Sequence, residues 1–429
     1  MSIEASAVAA MDSAGPAALA AQVGDNVNDV DLSPDGTRLY AAGTDGILRV
    51  YDTRTGELLA SWEVGTELGA IDVSPDGTFL MAVELVPLEE NWVGGWPEYE
   101  TTVTAYRVDL ETGAVTSYPL VVTGSYHIFH DVAVLANGDV LLTGRELPGW
   151  SGWAPMRLLD PDTGTYSLAG MDARGGSFLS ASPDGQLVLL TEHNISDAPV
   201  HIYESGVGIT ASHDLYADGV SGFNWGIHAL SADAGLVAQY LPANGLHIYS
   251  TDLEYLRNLA TDYPQWQSMS VAGLAFDATG ENLFVLDSAT DTIVQLSTAD
   301  WAVVQTIAIG TNIDWSGSAF GNALLVDPEG HFFTILSAGK VYEVANPATP
   351  FLVEGTPGDD ELTGSILVDS IFGYAGNDIL NGGDGDDILY GGDESCSGTN
   401  CVFNASGDHR LGDTLNGGPG NDTLFGGNE

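Results

Sequence analysis

Six aspartates near the end of the chain, Asp360, Asp369, Asp378, Asp387, Asp413 and Asp422, share a local setting that could hold a metal ion. Nine-residue units begin at Gly355, Gly364, Gly373, Gly382 and Gly417, and each places Asp at its sixth position; after an interruption, Asp413 and Leu415 restore the same phase. Glycine fills positions one, two and four at Gly373, Gly376, Gly382, Gly383, Gly385, Gly417, Gly418 and Gly420. Glycine lets the backbone turn sharply and aim carbonyl oxygens at one point, and Asp adds a hard carboxylate; together they make the oxygen cage that Ca²⁺ prefers. Position eight supplies Leu362, Ile371, Leu380, Leu389 and Leu424, a thin apolar row. From Glu354 to the end there are 15 acidic residues and one basic, Arg410. Such a segment repels itself without a cation, so binding free energy becomes folding free energy. A flexible acidic linker is the alternative, but it would have no reason to keep Asp and Leu in register.

The units GYAGNDILN and GGDGDDILY resemble the GGxGxDxUx nonapeptide of the RTX family. The resemblance implies a parallel β-roll with two units per turn, Ca²⁺ as cofactor, and export through type I secretion. Millimolar extracellular Ca²⁺ suits modules with dissociation constants of about 10⁻⁴ to 10⁻³ M. Two departures stand out. Leu367 replaces the glycine at position four of its unit, and the unit at Gly391 gives way to DESCSGTNCVFNASGDH. Cys396 and Cys401 lie in that insertion, and an oxidising compartment would allow them to close a small ring. The family's C-terminal export signal is not seen after Gly426-Gly427-Asn428-Glu429, so truncation or another export route is expected.

A second set of reactive residues lies upstream. His130, Asp131, His193 and His228, with Glu84 or Glu192 nearby, could form a metal or general-base site. The more ordinary reading is that they make channel hydrogen bonds to backbone and water. No HExxH, GxSxG or GxGxxG motif adds weight to catalysis. Trp92, Trp96, Tyr99, Trp150, Trp153 and Trp225 come mostly from segments at loop ends and could form a stacking platform for a glycan or protein ligand, or pack long loops onto the fold.

The elements that must position these residues are strands. Turns recur at Ser33-Pro34-Asp35-Gly36, Ser74-Pro75-Asp76-Gly77 and Ser182-Pro183-Asp184-Gly185, with variants ending at Gly138, Gly235, Gly280 and Gly330. The closing glycines are 41, 61, 47, 50, 45 and 50 residues apart, close to the period of a four-stranded propeller blade. A second turn such as Thr53-Arg54-Thr55-Gly56 follows most of them. The spacing predicts seven blades over residues 23–353, after an N-terminal segment of residues 1–22 and before the roll at 354–429. Phrases such as SPDGTRLYAAGTDGILRVYDTRTGELLASW resemble YVTN-type propellers, a fold that hosts lactonases, dehydrogenase subunits and binding platforms. The Gly-His and Trp-Asp marks of WD40 repeats are missing, which counts against that subfamily. Long loops at residues 84–101 and 145–155 fall between the second and third strands of their blades.

The whole chain of 429 residues is all-β in pattern and carries a formal charge of −50. That charge argues against nucleic acid or an anionic membrane as partner and favours cations. No run of about 18 apolar residues could span a membrane, and the N-terminus lacks the basic start of a secretory signal. The expectation is an extracellular calcium-binding protein with a propeller that binds a ligand. A lactonase-like or dehydrogenase-like enzyme using the channel-mouth His, Asp and Glu is the alternative.

Overall fold

A computed structural model describes residues 20–85, 100–123, 127–146, 152–192, 199–214, 217, 227–231, 235–242, 244–262, 269–310, 313, 322–392 and 413–426. Seven four-stranded antiparallel sheets form a propeller, and two parallel sheets form a roll after it. The innermost strands are Val27–Leu32, Leu68–Val73, His127–Val134, Phe178–Ala181, His228–Leu230, Val271–Phe276 and Leu324–Val326, one per blade in chain order. The last blade borrows its outermost strand from the start of the chain: Ala20–Asp25 pairs antiparallel with Lys340–Ala345 and closes the ring.

The turn motif explains why the hairpins form where they do. In blade one the Ser33 hydroxyl donates to Asp35 Oδ1 at 2.6 Å and accepts from the Arg38 amide at 3.0 Å. Gly36 returns its amide to the Ser33 carbonyl at a φ of 68°. The same Ser-to-Asp bond recurs in blades two and four at 2.7 and 2.6 Å. Each turn therefore satisfies its own polar groups before any blade packs against it. The tip of Gly36 sits against Pro328, and that of Gly77 against Pro34, so neighbouring turns also touch around the ring.

Between blades the core is apolar. Tyr40, Leu48 and Val50 meet Leu68, Ile71 and Leu80, and equivalent clusters fill the other seams. An innermost strand is an edge strand, and its free amides must find acceptors. Aspartates from the preceding blade supply them. Ile71 and Val73 donate to Asp29 Oδ2 and Asp31 Oδ2 at 2.8 and 2.7 Å, Val134 to Asp72 Oδ2 at 2.6 Å, and Leu179 to Asp131 Oδ2 at 2.7 Å. Four carboxylates thus staple blades one to four in sequence.

In the roll, Glu361–Thr363, Ile379–Asn381 and Thr414–Asn416 form one parallel sheet. Phe351–Glu354, Asp369–Phe372, Ile388–Tyr390 and Thr423–Phe425 form the other. Ile371, Leu380 and Leu389 are fully buried between them. Outside, Phe372, Tyr390 and Phe425 stack at 4.6 and 4.7 Å with nearly parallel rings. The insertion holding Cys396 and Cys401 lies outside the described residues, yet the strands on either side of it stay in register.

Candidate functional site

Each turn of the roll brings a carboxylate to the same place. Asp378 Oδ1 accepts from the Asp360 amide at 2.9 Å, Asp387 Oδ1 from Asp369 at 2.9 Å, Asp413 Oδ1 from Asp378 at 3.0 Å and Asp422 Oδ1 from Asp387 at 3.1 Å. These bonds fix two ladders of carboxylates, one on each side of the thin core. The second oxygen of Asp378, Asp387 and Asp413 is buried and has no hydrogen-bond partner. Carbonyls crowd the same space: a Cβ on Gly382 would stand 2.2 Å from Asp387 Oδ2 and 2.5 Å from the Gly417 carbonyl oxygen. On Gly373 it would stand 2.4 Å from Asp378 Oδ2 and 2.6 Å from the Gly391 oxygen. Position one therefore has to be glycine, and the cradle it leaves offers oxygens only, the donor set of a hard divalent cation.

Electrostatics agree. Burial, with Asp369 and Asp422 nearby, pushes Asp387 up to about 7, and burial also raises Asp378; at Asp369 burial raises the carboxyl against the opposing pull of the Ser365 donors and Arg54. A buried carboxylate without a counter-charge is costly. A bound cation would remove that cost in the later turns.

The first turn differs. Thr356 donates its amide to Asp360 Oδ2 at 2.6 Å and its hydroxyl at 2.9 Å. Ser365 donates both groups to Asp369 Oδ2 at 2.7 Å. Leu367, at the position where glycine was expected, is buried with Val368 against Phe332 and Ala345 of the last blade.

Residues 363–395 and 412–428 match the RTX calcium-binding nonapeptide repeat in four copies. The tail carries RTX calcium-binding repeats. Its cofactor is Ca²⁺, an ion that the oxygen cradles suit. Residues 19–52 match the WD domain, G-beta repeat. That match corrects the expectation drawn from the missing Gly-His and Trp-Asp marks: it spans Ala20–Asp25, the outermost strand of the last blade, and the first three strands of blade one, so a WD repeat is present there without those residues. No curated protein matches the chain.

The propeller channel holds a cavity of about 440 Å³ lined by Asp29, Asp31, Asp72, His130, Asp131, His228 and Asn322 among others. Of the residues singled out from sequence, His130, Asp131 and His228 share this cavity. Asp131 and His228 have polar atoms engaged in structure: Asp131 accepts the Leu179 and Val132 amides, and His228 Nδ1 lies 3.1 Å from Thr191 Oγ1. The His130 ring meets Phe178 edge-on at 5.0 Å. Glu84 and Glu192 are used elsewhere: Glu84 accepts the Thr66 amide at 3.0 Å, and Glu192 bonds His201 Nε2 at 2.9 Å and the Arg174 amide at 3.1 Å. His193, Trp92, Trp96, Tyr99, Trp150 and Trp225 lie outside the described residues. Trp153 is half exposed, with the Arg174 guanidinium 5.8 Å from its ring centre.

Sequence reasoning passed over Asp29, Asp31 and Asp72. Burial raises all of them above the ordinary carboxylate range, Asp31 to about 6, as it does Asp131. Their trace was there: Asp31 and Asp72 each stand at the same offset before the turn glycines Gly36 and Gly77, and Asp29 and Asp131 share another offset before Gly36 and Gly138.

Proposed function

We propose that the chain is an exported, calcium-dependent binding protein in which the roll folds on Ca²⁺ and the propeller presents a ligand-binding face. The partnerless buried oxygens of Asp378, Asp387 and Asp413 carry the first part of this reading. Asp422 and the glycines at 373, 376, 382, 383, 385, 417, 418 and 420 complete the cradles, and the ion would neutralise carboxylates that otherwise repel one another. Export fits a module tuned to millimolar Ca²⁺; no described helix is long and apolar enough to cross a membrane.

For the propeller, the binding-platform reading is favoured over a lactonase-like or dehydrogenase-like enzyme, because the channel carboxylates are committed to stapling blades. The exposed Trp153 is the described part of the aromatic platform for a glycan or protein. Calcium titration of the full chain by calorimetry and circular dichroism tests the roll, where a gain of β signal is expected. A glycan array probed with and without Ca²⁺ tests the platform; hydrolysis of a lactone panel with no glycan bound would reverse the preference.

A further inference from the structure

We propose that the first turn of the roll is a calcium-independent cap, closed by Arg54 of the propeller and by its own hydroxyl residues, on which the calcium-loaded turns are built. The proposal rests on the reading that later turns bind Ca²⁺. Four observations carry it. Asp369 is fully buried, and its Oδ1, which has no hydrogen-bond partner, faces Arg54 Nη2 at 3.7 Å. Arg54 also accepts the Ile366 amide on its carbonyl at 2.9 Å and lays its guanidinium 4.9 Å from the Phe351 ring centre. Ser365 and Thr356, standing where later units have Gly383 and Gly418, occupy Oδ2 of Asp369 and Asp360 with hydrogen-bond donors. Leu367 is 1% exposed and joins Val368, Phe332 and Ala345 in one apolar cluster, so the missing glycine has become the anchor to the last blade.

Together these replace the ion. A carboxylate supplied with a guanidinium and two donors has its charge compensated without a metal. Beyond this turn the compensation stops, since Asp378 and Asp387 keep a partnerless oxygen. The roll therefore has an ordered edge ready before Ca²⁺ arrives, and each later strand adds to an existing one, avoiding nucleation in free chain.

Hydrogen exchange on the full-length protein in chelator reads the cap directly. Residues 361–372 should be protected at least tenfold more than residues 379–390, and Arg54→Ala should abolish that difference while the propeller amides stay protected. Equal exchange of the two segments in the unaltered chain, or no effect of Arg54→Ala, overturns the proposal. Calorimetric ion counts provide the second arm: Asp369→Asn should bind as many Ca²⁺ as the unaltered chain, and Asp387→Asn fewer. Loss of an ion in Asp369→Asn overturns the cap. An unaltered chain that binds no Ca²⁺ overturns the calcium reading instead, and the exchange pattern in chelator still decides the cap.

Discussion

Asp131 illustrates how one side chain can look catalytic and be a strut. Both its oxygens accept backbone amides, from Leu179 in the next blade and Val132 in its own. Asp131→Ala leaves two inner amides without acceptors and should cost about 2–4 kcal/mol, read as a lower denaturant midpoint in urea. Its pH behaviour has a definite sign. Folding raises Asp131 from 3.8 to about 6, so between those values the folded chain binds the extra proton, and this group's contribution to stability falls as pH rises through 6. The penalty at neutral pH is about 3 kcal/mol. With Asp29, Asp31 and Asp72 shifted in the same direction, melting in chelator should occur at higher temperature at pH 5.5 than at pH 8, and Asp131→Asn should narrow the gap. In the roll, Gly418 has a φ of 91°, and a Cβ there would stand 1.9 Å from the Gly383 oxygen. Gly418→Ala should therefore abolish calcium-induced ordering of the last turn, measured by hydrogen exchange of residues 414–425.

Strands and turns were the most legible part of the sequence, because each carries its own reason to form. The seven turn glycines marked seven blades, since positive φ and the Ser-Asp bond are local properties that no distant contact is needed to explain. The roll strands were equally legible: Leu362, Leu380 and Leu415 recur in phase and pair in parallel as their spacing implies. What could not be read was the partner of a side chain across the fold. The contact between Arg54 and Asp369 joins residues more than 300 positions apart, and the stapling role of Asp72 depends on which strand edge lies beside it. The strand Phe351–Glu354 adds to the roll by pairing with Asp369–Phe372, a register its own sequence does not announce. At this scale the thin core sets the calcium requirement. Leu380→Ala removes a fully buried side chain and should cost about 2–5 kcal/mol, shifting the Ca²⁺ midpoint upward by tenfold or more in a circular dichroism titration.

As a whole the molecule joins two kinds of stability. The propeller is held by apolar seams and internal staples, whereas the roll depends on neutralising part of a formal charge of −50. Scanning calorimetry should accordingly resolve two transitions, and chelation should remove the one assigned to the later roll turns while moving the propeller transition little. A single transition that shifts as one with Ca²⁺ would show the two parts to be fully coupled. The ring closure has a mechanical side. Ala20 lies opposite Val344 and Asp25 opposite Lys340, so the chain enters and leaves the seam at the same end. A load applied between the N-terminal side and the roll would peel these pairs one after another, whereas a shearing geometry would strain all of them at once. The seam is thus a weak link under tension, and its pairs would open from the Ala20–Val344 end.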